Sequence, residues 1–181
     1  MIRNTTNTYG LISVLLHWGM AVALFGLFSV GLYMTDLTYY DSLYHVLPWW
    51  HKGIGLLMFA LLLARFLWSH SNPKPQPLAT HKPWEVTLAS IAHRLLYLLI
   101  LILCISGYLI STAKGKGIDF FGWFEIPALT KLSSDNSDLA GLIHFYLAWT
   151  LIIFASVHAA AALKHHFIDH DKTLSNITLR K

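Results

Sequence analysis

The sequence predicts an all-α membrane protein, a four-transmembrane-helix bundle forming one domain over residues 1–181. Three observations predict it. Four apolar runs, at residues 11–34, 49–68, 84–111 and 139–163, are each long enough to cross about 30 Å of hydrocarbon at about 1.5 Å per residue. Charged residues make up 12% of the chain, with a mean hydropathy of +0.52, where a soluble domain carries about 25% charge. Polar or proline-rich segments separate the runs, and each run carries histidine.

Residues 1–10 are short and polar. The run after them is full length and lacks a small-residue cleavage site, so it reads as a retained span. It contains His17, followed on the same face by Ala21, Leu24 and Gly31. The next segment, residues 35–48, carries Asp36, Asp41, Tyr39, Tyr40 and Tyr44. Trp49 and Trp50 open the second run and Trp68 closes it, as in an interfacial aromatic belt. His51 shares its face with Gly55, Met58, Leu62 and Arg65.

Residues 69–83 hold four prolines and read as a non-helical linker. The third run contains His93, with Gly107 fourteen residues on. The longest loop, residues 112–138, begins TAKGKGID, includes an interfacial FFGWFEIP and ends SSDNSD, a helix-capping signal. The fourth run has 25 residues without Lys, Arg, Asp or Glu. Beyond it, His165, His166 and His170 fall in a short polar tail.

The basic residues set the orientation. Arg3, Arg65, Lys74, Lys82, Arg94, Lys164, Lys172, Arg180 and Lys181 fall on one side; Lys52, Lys114, Lys116 and Lys131 fall on the other. The positive-inside rule then puts both termini in the cytoplasm. The formal charge of +4 is thereby accounted for by topology and does not point to nucleic acid. The one cysteine, Cys104, lies inside an apolar run and excludes an internal disulfide, a cysteine-cluster metal site and covalent haem attachment.

Ionisable groups inside a span are costly and mark function. His144 and His158 are fourteen residues apart on one helix, which returns them to within roughly 40° of one face and about 21 Å apart along the axis. Ala148 and Ala155 lie near that face, with Gly141 and Ala162 beyond each histidine. One helix thus presents an imidazole at each membrane level, with room for something flat beside it. Sorted by depth, His51 and His144 lie toward the outer face, and His17, His93 and His158 toward the cytoplasmic face. Zinc prefers one compact tetrahedral set, whereas a haem iron takes two axial histidines from facing helices. The outer pair is His51 with His144. At the inner level His158 is favoured, and periodicity leaves its partner open between His17 and His93. Arg65 reaches the inner level, either as a bidentate contact to haem propionates or as a snorkelling, topology-setting charge.

The segments LLHWGM around His17, WWHKGIGLLMFALLLAR from Trp49 to Arg65, AHRLLYLL around His93, GLIHFYLAW around His144 and SVHAAAALKHH from Ser156 resemble the bacterial cytochrome b561 family of four-span dihaem cytochromes. The layout is also similar to the cytochrome b subunits of membrane formate dehydrogenases and nickel–iron hydrogenases. The resemblance implies two non-covalent b haems, one held by His17 and His158 and one by His51 and His144, with His93 near the inner haem or a quinone pocket. It implies ubiquinone or a related quinone at the cytoplasmic side, with Lys74, His165 and Ser13 placed near it, and residence in the bacterial inner membrane among lipid.

The expected function is electron transfer across that membrane between a periplasmic donor and a quinone. One branch of the family oxidises superoxide, and Lys52, Lys114 and Lys116 would draw such an anion toward the outer haem. The alternatives are a non-catalytic electron carrier or anchor subunit serving a separate periplasmic redox protein, and a haem-free transporter or scaffold. Four spans do not accommodate the six of the ascorbate-dependent eukaryotic cytochromes b561.

Overall fold

The computed structural model describes residues 1–178. Its four long helices are α1 (Leu11–Thr35), α2 (Val46–His70), α3 (Pro83–Thr112) and α4 (Ser134–Phe167). All four are long and apolar enough to cross a membrane, and a helix satisfies its own backbone where water is absent. Each packs on the next in sequence, and α1 closes the bundle sparsely against α4.

The linker leaves α3 a defined start. Pro83 occupies the first helical turn, where its missing N–H costs nothing, and the Glu85 carboxylate accepts from the Lys82 backbone N–H at 2.8 Å. Ser133 caps α4 by accepting from the Asn136 N–H at 3.4 Å. The SSDNSD signal is therefore used, but α4 begins five residues before the apolar run, because a polar first turn can lie outside the hydrocarbon. At its far end α4 continues through Lys164, His165 and His166. These histidines belong to the last helical turn rather than to the tail expected from sequence. Basic side chains there complement the exposed carbonyls of a helix C-terminus.

The long loop folds into a small hairpin, β1 (Ile118–Phe120) against β2 (Phe124–Ile126), which the apolar FFGWFEIP stretch did not announce. Phe121 and Gly122 both take positive φ, at 54° and 75°, and the Trp123 N–H donates to the Phe120 carbonyl at 3.0 Å. That is the primed turn whose twist suits a tight hairpin. The Phe121 ring lies against Trp49 and Trp50 at the start of α2, at 5.3 and 5.4 Å. It fills the space a Cβ would need at Gly53, where the nearest ring atom would be 2.7 Å away. Trp49 Nε1 donates to Asp119 at 2.7 Å and completes the attachment.

The N-terminal segment and the last described residues lie at the opposite end of the bundle. There Asn4 Nδ2 donates to the Pro73 carbonyl at 3.2 Å, the Gln76 N–H to the Thr6 carbonyl at 2.8 Å, and Trp18 Nε1 to the Ile177 carbonyl at 2.7 Å. Of the basic residues counted for orientation, Arg180 and Lys181 lie outside the described residues.

The core is thin. Met20, Met58 and Leu62 are buried together, with Tyr97, Ile100 and Leu101 around them. Along α2 this plug falls between His51 and Arg65, so it separates the two histidine levels. Many other apolar side chains, among them Leu15, Val22, Leu67, Leu98 and Ile153, face outward, as lipid-exposed helices require.

Candidate functional site

At the level of the hairpin, α2 brings His51 and α4 brings His144 to a ring separation of 6.3 Å, with planes inclined 71°. Two imidazoles ligating one metal from opposite sides at about 2.0–2.1 Å each keep ring centres about 6.4 Å apart. His144 Nδ1 lies 3.2 Å from the Leu103 carbonyl and 3.0 Å from Ser106 Oγ, while Ser106 itself donates to Leu103 at 2.9 Å. A carbonyl only accepts, so this network assigns the proton to Nδ1 and leaves Nε2 with its lone pair, the form a metal binds. His51 Nδ1 is buried without a hydrogen-bond partner among the described residues.

The rings stand beside glycines. A Cβ on Gly31 would come within 3.2 Å of the His51 ring, and one on Gly107 within 3.0 Å of the His144 ring. Beside them opens an apolar cavity of about 990 Å³ that all four helices line, including Leu27, Gly55, Gly107 and Ala148. A large flat apolar group with a metal at its centre fits this donor set: two imidazoles, glycine clearance and no competing carboxylate among the cavity-lining residues.

Toward the termini, three histidines gather. His93 and His158 are 5.1 Å apart by ring centre, inclined 71°. His17 Nδ1 lies 3.0 Å from Arg65 Nη2. A guanidinium has no acceptor, so His17 Nδ1 accepts. The same guanidinium carbon sits 5.7 Å above the Tyr97 ring, one turn from His93. Arg65 is therefore turned into the bundle, not out toward the membrane surface.

The other expected residues divide. Lys74 is exposed on the linker. His165 faces acidic residues instead, with Nδ1 2.9 Å from Asp169 and 3.2 Å from Asp171. Ser13 has its hydroxyl committed, donating to Asn4 at 2.7 Å and accepting from Trp68 at 3.1 Å. Lys52, Lys114 and Lys116 are exposed, and no salt bridge engages them among the described residues.

Several contributors carried no sequence signal. Ser106, next to Gly107, and the Leu103 carbonyl, one helix turn before it, orient His144 through tertiary contact. Tyr97 and the Asp119–Phe121 clamp likewise meet their partners only in the fold. His81 and Asp171 are ninety residues apart and touch at 3.1 Å.

Four membrane-crossing helices with intramembrane histidines facing one another define a membrane-embedded haem protein. The family described as prokaryotic cytochrome b561 matches residues 8–179. The chain belongs to that family of electron-transferring membrane cytochromes, which bind b-type haem. It is 45% identical over 174 residues to cytochrome b561 homolog 2 of Escherichia coli K12, covering 96% of this chain and 93% of the relative. It is 28% identical over 144 residues to cytochrome b561 homolog 1 of the same organism, covering 78% and 80%. It is also 30% identical over 137 residues to a protein of Yersinia pestis described as a probable superoxide oxidase, covering 74% and 77%.

Proposed function

We propose that this chain holds two b haems, each between two histidines, and carries electrons across the bacterial inner membrane between an outer donor and a quinone at the cytoplasmic side. The observation that carries the proposal is the facing of His51 and His144 at 6.3 Å beside an apolar cavity, on a helix that presents His158 two heptads further on. The outer ligands are His51 and His144. The inner ligands are His17 and His158. The 5.1 Å between His93 and His158 is about 1 Å short of the spacing for opposite ligands on one metal, which favours His17 and leaves His93 beside the site. To ligate, His17 Nδ1 would turn from Arg65 and take the proton, so that Nε2 is free. Both termini face the cytoplasm, where the greater share of Lys and Arg lies.

A haem held between these histidines would supply one-electron transfer. The chain's residues do the rest. The Leu103 carbonyl and Ser106 hold the His144 tautomer. Met20, Met58 and Leu62 keep water from the space between the levels. Arg65 places a fixed positive charge at the inner level. At the cytoplasmic rim Lys74 and His165 donate hydrogen bonds to quinone oxygens, and His165 passes a proton.

Superoxide is the proposed donor. Two superoxide anions each give one electron, leaving two dioxygen molecules, and one quinone takes both electrons with two protons. The description of the Yersinia relative supports this reading, as do Lys52, Lys114 and Lys116, which no salt bridge engages among the described residues. One observation favours a second reading, a non-catalytic carrier or anchor subunit for a separate periplasmic redox protein. The outer segments carry four lysines against six carboxylates (Asp36, Asp41, Asp119, Glu125, Asp135 and Asp138), which suits a basic protein surface better than a small anion.

The test is quinol formation by the purified haem-loaded protein given a superoxide source and a short-chain ubiquinone. A rate well above spontaneous dismutation supports superoxide oxidation. No such rate, with full haem content, removes that activity and leaves the carrier reading.

A further inference from the structure

At the end that holds the N-terminal segment and the linker, three segments bring metal-binding atoms to one point, separate from the intramembrane histidines. The linker contributes His81, the last turn of α4 contributes His165, and the segment after it contributes Asp171. One ligand atom from each lies within 4.8 Å of the others. His81 Nε2 is 3.1 Å from Asp171 Oδ2, and His165 Nδ1 is 3.2 Å from the same oxygen. Ligands about 2.0–2.1 Å from a tetrahedral ion lie about 3.3–3.4 Å apart, so only small adjustments separate these atoms from a coordination shell.

Two further observations point to a cation. The Asp171 side chain is 5% exposed, and the Thr173 N–H donates to its Oδ1 at 2.8 Å while Oδ2 lies between the two imidazoles. His165 Nδ1 is buried among two carboxylates, Asp171 and Asp169, the latter at 2.9 Å, without hydrogen-bond alignment to either. An imidazole nitrogen and carboxylate oxygens that converge without an aligned hydrogen bond are arranged as they would be around an ion.

We propose that His81, His165 and Asp171 form a site for a divalent transition metal of the zinc class, with water as fourth ligand, since Lys164 Nζ already holds Asp169 Oδ2 at 2.6 Å. Two imidazoles and a carboxylate suit zinc and exclude magnesium and calcium, which take oxygen ligands. The ion ties the linker, the end of α4 and the following segment together. It also occupies His165, so zinc slows quinone reduction; this consequence rests on the quinone role given to His165 above.

The experiment is equilibrium dialysis of the tag-free, haem-loaded protein against zinc in detergent after chelation, with bound zinc and haem counted separately. One zinc per chain is expected, with magnesium giving none. Affinity should fall at least about tenfold in His81→Gln and Asp171→Asn and stay unchanged in His166→Gln and His170→Gln, with haem content constant throughout. X-ray absorption of the bound zinc should show two imidazoles with oxygen ligands. Failure to bind zinc, or loss in the His166 or His170 variants but not in His81→Gln, overturns the site. Zinc bound as expected with an unchanged quinone rate supports the site and instead removes His165 from the quinone pocket.

Discussion

At the outer level each histidine faces one other histidine. His144 is fixed by the Leu103 carbonyl and Ser106, His51 faces it across 6.3 Å, and Gly31 and Gly107 leave the rings clear. At the inner level three histidines and an arginine share their contacts. His158 meets His93, while His17 meets Arg65. The outer site is thus determined by steric clearance and by the tautomer of one residue. The inner site is determined by selection among histidines that all reach the same depth. Substitutions should therefore act locally and steeply outside, and by redistribution inside.

The largest expected effect is at the outer pair. His144→Ala should remove one of two haems per chain by pyridine haemochrome, and His51→Ala should do the same, with the inner haem's reduced spectrum retained. Loss of both haems from either variant would mean the two levels assemble as one unit. Next comes the clearance. Gly107→Val introduces a branched side chain where even a Cβ would approach the His144 ring to 3.0 Å, an overpacking of about 1–3 kcal/mol. Outer haem occupancy should fall below half, whereas Gly26→Val, outside the cavity lining and at a position where a Cβ meets nothing within 4 Å, should retain more haem.

Arg65→Leu tests the inner level. Removing a nearby cation disfavours the added electron, so one midpoint potential should drop by tens of millivolts while the other stays fixed. Arg65→Lys should restore part of the shift; a drop in both potentials would contradict the separation of levels. The smallest effect belongs to Ser106→Ala. The Leu103 carbonyl still holds His144 Nδ1, so haem count should be unchanged and one potential should move only slightly in a redox titration.

Much of this could be read from the chain because hydrophobic length and histidine spacing are local properties. His144 and His158 announce two levels on one helix, and the pairing of His51 with His144 follows from depth. The SSDNSD cap was legible for the same reason, although the apolar run alone placed the start of α4 too late. The inner partner of His158 was not legible, since His17 and His93 share a depth and sequence periodicity carries no distance between helices. The Phe121 hairpin was hidden for a different reason. Its turn requires positive φ at a phenylalanine, which local propensity disfavours, and only docking against Trp49, Trp50 and Gly53 stabilises it. Ser106, His81 and Asp171 act through tertiary neighbours far away in sequence.

The central claim is two haems on four chosen histidines, and haem content per chain tests it most directly. The measurement is a pyridine haemochrome assay on the detergent-purified wild type, His17→Ala and His93→Ala. The account predicts two haems in the wild type, one in His17→Ala and two in His93→Ala. Two in His17→Ala with one in His93→Ala would move the inner ligand to α3, and a wild type with fewer than two would contradict the transmembrane electron path itself.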